Sequence, residues 1–184
     1  NGTGTNAGAD GLNLGIGSDG STVRGLVINR FADDGIAGAA NNVTIAGNYV
    51  GTNASGTADL GNAGDGIQAD GNNWIIGGTA VADRNLISGN DDDGVQLFGD
   101  GNTVLGNYIG TNAAGSAAIG NADEGIEIAS TSSGNTIGGT AVGARNVISG
   151  NGGEGVLINI TTGNQLLGNY IGVDATGTLD LGNA

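Results

Sequence analysis

Residues 90–128 read NDDDGVQLFGDGNTVLGNYIGTNAAGSAAIGNADEGIEI and hold one full turn of a short cycle of strands. Val95-Gln96-Leu97 alternates apolar, polar, apolar; Thr103-Val104-Leu105 follows after a Gly/Asn turn; Tyr108-Ile109 comes next; then Ile126-Glu127-Ile128 starts the cycle again. A period of two is the mark of a strand with one buried face, so Val95, Leu97, Ile126 and Ile128 point to one side. Gly, Asn and Asp fill the gaps, where the chain must turn and positive φ is needed.

The same unit recurs along the chain. An acidic or polar residue, Gly, then Ile or Val occurs at Gly35-Ile36, Gly66-Ile67, Gly94-Val95, Gly125-Ile126 and Gly155-Val156, with glycine spacings of 31, 28, 31 and 30. An earlier copy, Gly11-Leu12, lies 24 residues before Gly35. A longer period of about sixty residues runs over this one. Asn48-Tyr49-Val50-Gly51 returns as Asn107-Tyr108-Ile109-Gly110 and Asn169-Tyr170-Ile171-Gly172, and GGTAVADRNLISGN (77–90) returns as GGTAVGARNVISGN (138–151).

Three short strands in each ~30-residue unit describe one coil of a solenoid. The expectation is an all-β right-handed parallel β-helix of about six coils, the handedness following the usual crossover preference. No long segment keeps a 3.6-residue apolar period, so helices should be minor. The whole chain, 1–184, reads as one β-helix domain. Leu181-Gly182-Asn183-Ala184 matches Leu60-Gly61-Asn62-Ala63, after which another coil would begin, so it reads as a segment of a longer array.

Coils stack at the strand spacing of ~4.8 Å, so asparagines at equivalent corners can form amide ladders along the rod. Candidates are Asn48, Asn107 and Asn169, and Asn90 with Asn151, each needing an asparagine from the intervening coil. The Gly-Asn ending shared by Gly106-Asn107 and Gly150-Asn151 suggests that such rungs exist. Phe31 stands in the place of Asn90 and Asn151 and is expected to cover the stack there.

Composition narrows the function classes. Of 184 residues 41 are Gly and 24 are Asn; Pro, Cys, Met, His and Lys are absent, and the net charge is −14. Disulfides, Cys/His zinc sites, a histidine base and a Schiff-base lysine are therefore excluded. An acidic chain whose only cations are Arg24, Arg30, Arg84 and Arg145 is unsuited to nucleic acid. No apolar run reaches the ~20 residues of a membrane span.

The units GNYIGTNAAGSAAIGNADEGIEI, GNTIGGTAVGARNVISGN and GEGVLI resemble the right-handed parallel β-helix repeats of large bacterial surface and secreted proteins. The resemblance covers roughly residues 10–184. It implies a three-faced coil, an extracellular or cell-surface location and a multidomain parent, and it brings no catalytic motif. Polysaccharide lyases, pectin hydrolases and phage tailspikes share the scaffold, so fold alone does not choose among them.

Asp91-Asp92-Asp93 is the candidate metal site, since carboxylates at a turn suit Ca²⁺; Asp33-Asp34 and Asp123-Glu124 occupy the same turn elsewhere, and a solvated acidic corner is the alternative. Ca²⁺ is the one cofactor considered. Asp93 with Glu124, or Glu127 with a carboxylate one coil away, could act as acid and base on a glycosidic bond. Such pairs occur anywhere on an acidic rod, and no catalytic residue is assigned. Tyr49, Tyr108 and Tyr170 form one column that could stack on sugars or serve as structural corners. Trp74 replaces the Thr of Asn135-Thr136-Ile137 and is either a further surface aromatic for carbohydrate or simple drift. Arg84 and Arg145 are repeat-equivalent, which favours structure: each is expected to bridge carboxylates or carbonyls in the longer turn. The expected function is a non-enzymatic rod, stalk or filament subunit. Its partners are flanking repeats or a second copy stacked head to tail; polysaccharide binding or cleavage is the alternative.

Overall fold

The computed structural model describes residues 1–4 and 6–184. Eighteen short strands form three parallel sheets of six, one strand of each sheet per coil, and the result is a right-handed parallel β-helix of six coils. The first sheet stacks Leu12–Asn13, Ile36–Gly38, Ile67–Ala69, Val95–Leu97, Ile126–Ile128 and Val156–Ile158. The second runs from Thr22–Arg24 to Gln165–Leu167, and the third from Val27–Ile28 to Tyr170–Ile171. A single turn of 3₁₀ helix at Val81–Asp83 is the one helical element among the described residues.

Register follows the alternation read from the sequence. Val95 pairs with Ile67 and Ile126, and Gln96 with Gln68 and Glu127, so the polar column faces out along the first sheet. Inside, Ile36, Ile67, Val95 and Ile126 are fully buried, as are Ile45, Ile76, Val104 and Ile137 from the second sheet and Val50, Ile87, Ile109 and Ile148 from the third. Each such side chain contributes roughly 1.5–3 kcal/mol by leaving water. The recurring glycine that set the period exists for space: a Cβ on Gly94 would lie 2.5 Å from the Gly125 carbonyl oxygen and 2.7 Å from Asn121 Nδ2.

The sixty-residue period has a structural cause. In the second, fourth and sixth coils a loop follows the third-sheet strand, closed by the antiparallel bridges Thr52–Asp59, Thr111–Ala118 and Val173–Asp180. These loops stack on one another across the intervening coil, the Ala113 N–H donating to the Gly56 carbonyl (2.9 Å) and the Ala175 N–H to the Gly115 carbonyl (2.8 Å). The third and fifth coils instead carry a loop between the second and third sheets, at residues 78–84 and 139–145. Two coil types alternate, so the repeat is two coils long.

Trp74 corrects the expectation of a surface aromatic. Ile75, not Trp74, pairs with Thr103, so Trp74 stands one position earlier, beside Asn102, and it points inward with 0 % exposure. Its indole N–H donates to the Ala40 carbonyl at 2.6 Å, which meets the one polar atom of the ring. A buried Trp74 cannot meet a sugar.

Candidate functional site

At the turn from the second sheet to the third, Asn48, Asn85, Asn107, Asn146 and Asn169 form one unbroken column. Each backbone N–H and each Nδ2 donates to the Oδ1 of the next asparagine, as from Asn85 to Asn107 (3.1 and 2.9 Å) and from Asn107 to Asn146 (2.9 and 3.2 Å). The same Nδ2 groups donate to a carbonyl of the coil before, Asn85 to Ile45 and Asn107 to Ile76, both at 2.8 Å. Every internal residue of this column therefore ties three coils together. The expected rungs are present, and Asn85 and Asn146 are the intervening ones.

A second column, Asn62, Asn90, Asn121, Asn151 and Asn183, occupies the turn from the third sheet back to the first. Asn107 and Asn151 consequently stand in different columns, contrary to the suggestion of their shared Gly-Asn ending; the loop lengths on either side of the third-sheet strand separate them. Phe31 ends this column as expected: half-buried against the core, it donates its N–H to Asn62 Oδ1 at 3.1 Å. A third, shorter column at the remaining corner runs from Trp74 N–H through Asn102 and Asn135 to Asn164.

Three residues beyond the second asparagine column runs a column of carboxylates. Asp34 Oδ1 accepts from the Asp65 N–H (2.7 Å), Asp65 Oδ1 from the Asp93 N–H (2.9 Å), and Asp93 Oδ1 from the Glu124 N–H (2.9 Å). Asp34, Asp65 and Asp93 are all buried, and no arginine pairs with them among the described residues. Burial pushes the Asp34 carboxyl up to about 6, against the hydrogen bond from Asp65. Asp65 rises to about 8, first by burial and then by the charge of Asp34. Asp93 is raised as well, by burial and then by its contact with Glu124.

The sequence candidate Asp91-Asp92-Asp93 divides at this column. Asp91 and Asp92 are exposed, and Asp93 is buried. The acidic groupings are Asp65 with Asp92 and Asp93, Asp93 with Asp123 and Glu124, and Asp10 with Asp33 and Asp34, each with ligand atoms within 4.8 Å of one another; Asp91 belongs to none of them. Three oxygens make half or less of a Ca²⁺ shell, which takes six to eight. Asp93 and Glu124 are brought together, but Asp93 is 2 % exposed and tied to a backbone N–H, away from any surface sugar. Glu127 lies on the outer face, where Gln96 Nε2 donates to it at 2.6 Å.

The tyrosines alternate with aliphatics up the third sheet, in the order Tyr49, Leu86, Tyr108, Val147, Tyr170. Arg84 Cζ lies 3.9 Å from the Tyr108 ring centre, and Arg145 Cζ lies 3.8 Å from that of Tyr170. Their Nε groups donate to carbonyls of the next coil, Gly106 (3.2 Å) and Gly168 (2.8 Å). The carbonyl half of the expectation for these arginines is thus observed, whereas no carboxylate pairs with either among the described residues. The cation–π stacks went unread in the sequence, although Arg-Asn at 84–85 and 145–146 beside the Tyr108 and Tyr170 columns held the signal. The chain is similar to no family model, curated protein or solved structure with which it was compared.

Proposed function

We propose that this chain is a non-enzymatic structural solenoid, a length of extracellular or cell-surface rod of the stalk, adhesin or filament type. The observation that carries the reading is uniformity. The asparagine column Asn62–Asn183 and the alternating loops recur through five successive coils, and side-chain chemistry that repeats in this way stabilises a scaffold, whereas an active site needs a singular place. The resemblance to surface and secreted β-helix repeats supports the location.

Its partners in this reading are further coils, supplied by flanking repeats of a longer chain or by a second copy stacked head to tail. Ile158, Leu166 and Ile171 continue the inward columns of Ile128, Ile137 and Ile148, and they are exposed at one end of the described rod. Another coil would cover them and pair the strand Val156–Ile158 at the spacing used within the rod. Such a contact is heterologous and propagates as a filament. Electron microscopy and sedimentation over a concentration series test this: rods that lengthen with concentration are expected, and Ile158→Pro should shorten them, because the Ile158 N–H faces out of the last coil whereas the Leu157 N–H is directed at Ile126 in the coil before. Monomers at every concentration would reject self-stacking, and release of new reducing ends from a polysaccharide would reject the non-enzymatic role.

A further inference from the structure

The charge of the rod is segregated. Acids crowd the turn from the third sheet to the first, whereas the six turns from the second sheet to the third (residues 25–26, 47–48, 78–85, 106–107, 139–146 and 168–169) contain one acid, Asp83. Asp83 is held by Arg24 at 2.7 Å. In the fifth coil Ala144 stands where Asp83 stands in the third. Arg84 and Arg145 thus form a basic seam on a chain of net charge −14.

Both guanidiniums are built in the same way. Nε is anchored on the next coil's carbonyl, one face lies on a tyrosine, and the terminal nitrogens meet no carboxylate among the described residues. A planar fork fixed by Nε and by stacking is prepared for a bidentate oxyanion. Each arginine borders a hollow. That of Arg84 holds about 250 Å³ between Tyr49, Val81, Tyr108 and Ala113; that of Arg145 holds about 500 Å³ beside Thr140 and Val142. Val81 and Val142, at the tips of the equivalent loops, are 77 % and 99 % exposed, an apolar identity that the packing of the rod does not require.

We propose that this seam binds an anionic polysaccharide lying along the rod, with acid groups two sugars apart docking on Arg84 and Arg145 and the sugar faces resting on Tyr49 and the valine tips. The spacing selects the class. The two arginines are two coils apart, ~10 Å at the strand spacing, and a pyranose in an extended chain advances by about one coil. An extended acidic peptide presents same-side carboxylates every ~6.8 Å, out of step with the seam. The proposal goes beyond the structural reading and does not depend on it, since a rod can bear the site whether or not it stacks.

The test is titration calorimetry of the 184-residue chain at about 0.15 M salt, where the acidic corners are screened beyond ~8 Å. The probes are an oligosaccharide in which glucuronate alternates with N-acetylglucosamine, a neutral cello-oligosaccharide of equal length, and oligoglutamate. Binding of the glucuronate oligomer alone is expected. Arg84→Gln and Arg145→Gln should each weaken it about fivefold, and the double variant about twentyfold. Tyr49→Ala should weaken it further. A purely structural role for the arginines would move the melting temperature and leave binding alone. No binding of the uronate oligomer, equal binding of the neutral one, tighter binding of oligoglutamate, or an unaltered double variant would each overturn the proposal.

Discussion

Two columns run side by side at the turn from the third sheet to the first, three residues apart in every coil, and they solve one problem with different chemistry. In the column Asn62–Asn183 each residue offers an acceptor and two donors, so a backbone N–H and a side-chain N–H converge on one oxygen at every step. In the column Asp34–Asp65–Asp93 each residue accepts the next coil's N–H but has no donor of its own when ionised. Like charges stacked at the coil spacing repel, and burial removes the water that would screen them. A proton restores the missing donor and cancels the charge, which is why these carboxyls hold theirs to higher pH. A protonated Asp in this column does the work of an Asn in the neighbouring one.

The largest effect should come from cutting an amide column. Asn107→Ala orphans the Asn85 N–H, at about 1–3 kcal/mol for a buried group left unmet, and removes one of the two acceptors of Asn85 Nδ2 and the side-chain donor to the Ile76 carbonyl. Urea unfolding should show a lower midpoint; an unchanged one would mean that the columns are ornamental. Acidity comes next. Asp34 and Asp65 are raised to about 6 and 8, whereas a carboxyl in the unfolded chain titrates near ~3.9. The folded state therefore holds protons that the unfolded state has released. The stability they contribute is complete below the unfolded value and is lost as pH rises through about 6 and then 8. Melting temperature should fall between pH 4 and pH 9, and the double variant Asp65→Asn, Asp93→Asn should flatten that fall while changing little at pH 4. A melting temperature that climbs over this range would refute the column's role.

Calcium offers a different remedy for the same repulsion, and its binding at the Asp92–Asp93 turn is a proposal. Millimolar Ca²⁺ at constant ionic strength should raise the melting temperature at pH 8 and leave it alone at pH 4; no rise at pH 8 rejects it. The smallest change is expected at Asp174, which occupies the loop position of Asn53 and Asn112. Its carboxylate is pulled down to about 2 by the Leu179 N–H and then the Thr176 hydroxyl. Its contribution is present above the ordinary carboxylate range and lost as pH falls through about 2. Asp174→Asn should therefore lower the neutral-pH melting temperature slightly, with the difference vanishing in strong acid.

The fold was almost wholly legible, because strand alternation and glycine spacing are local and repeat six times. Val95, Ile126 and Val156 could be placed in one column by counting from their glycines. What escaped depends on register between coils. Trp74 reads as a Thr replacement until strand pairing shifts it by one position, and that single step turns it from outside to inside. The carboxylates before each glycine were visible, but the burial of Asp65 and Asp93 follows from the coil above, which no local window contains. The Arg84–Tyr108 and Arg145–Tyr170 stacks join residues in neighbouring coils, so only the assembled helix brings them together.

The loops and columns leave one mechanical consequence. The strand hydrogen bonds and the asparagine rungs all point along the rod, coil to coil. A force applied between the two ends therefore loads them a coil at a time, as a zipper is opened, and not in parallel as when strands slide past one another. Each rupture frees about thirty residues, or roughly 100 Å of extended chain. A single-molecule pulling trace should be a ladder of small, nearly equal steps, so the rod yields gradually under tension and lengthens many times over before its last coil opens.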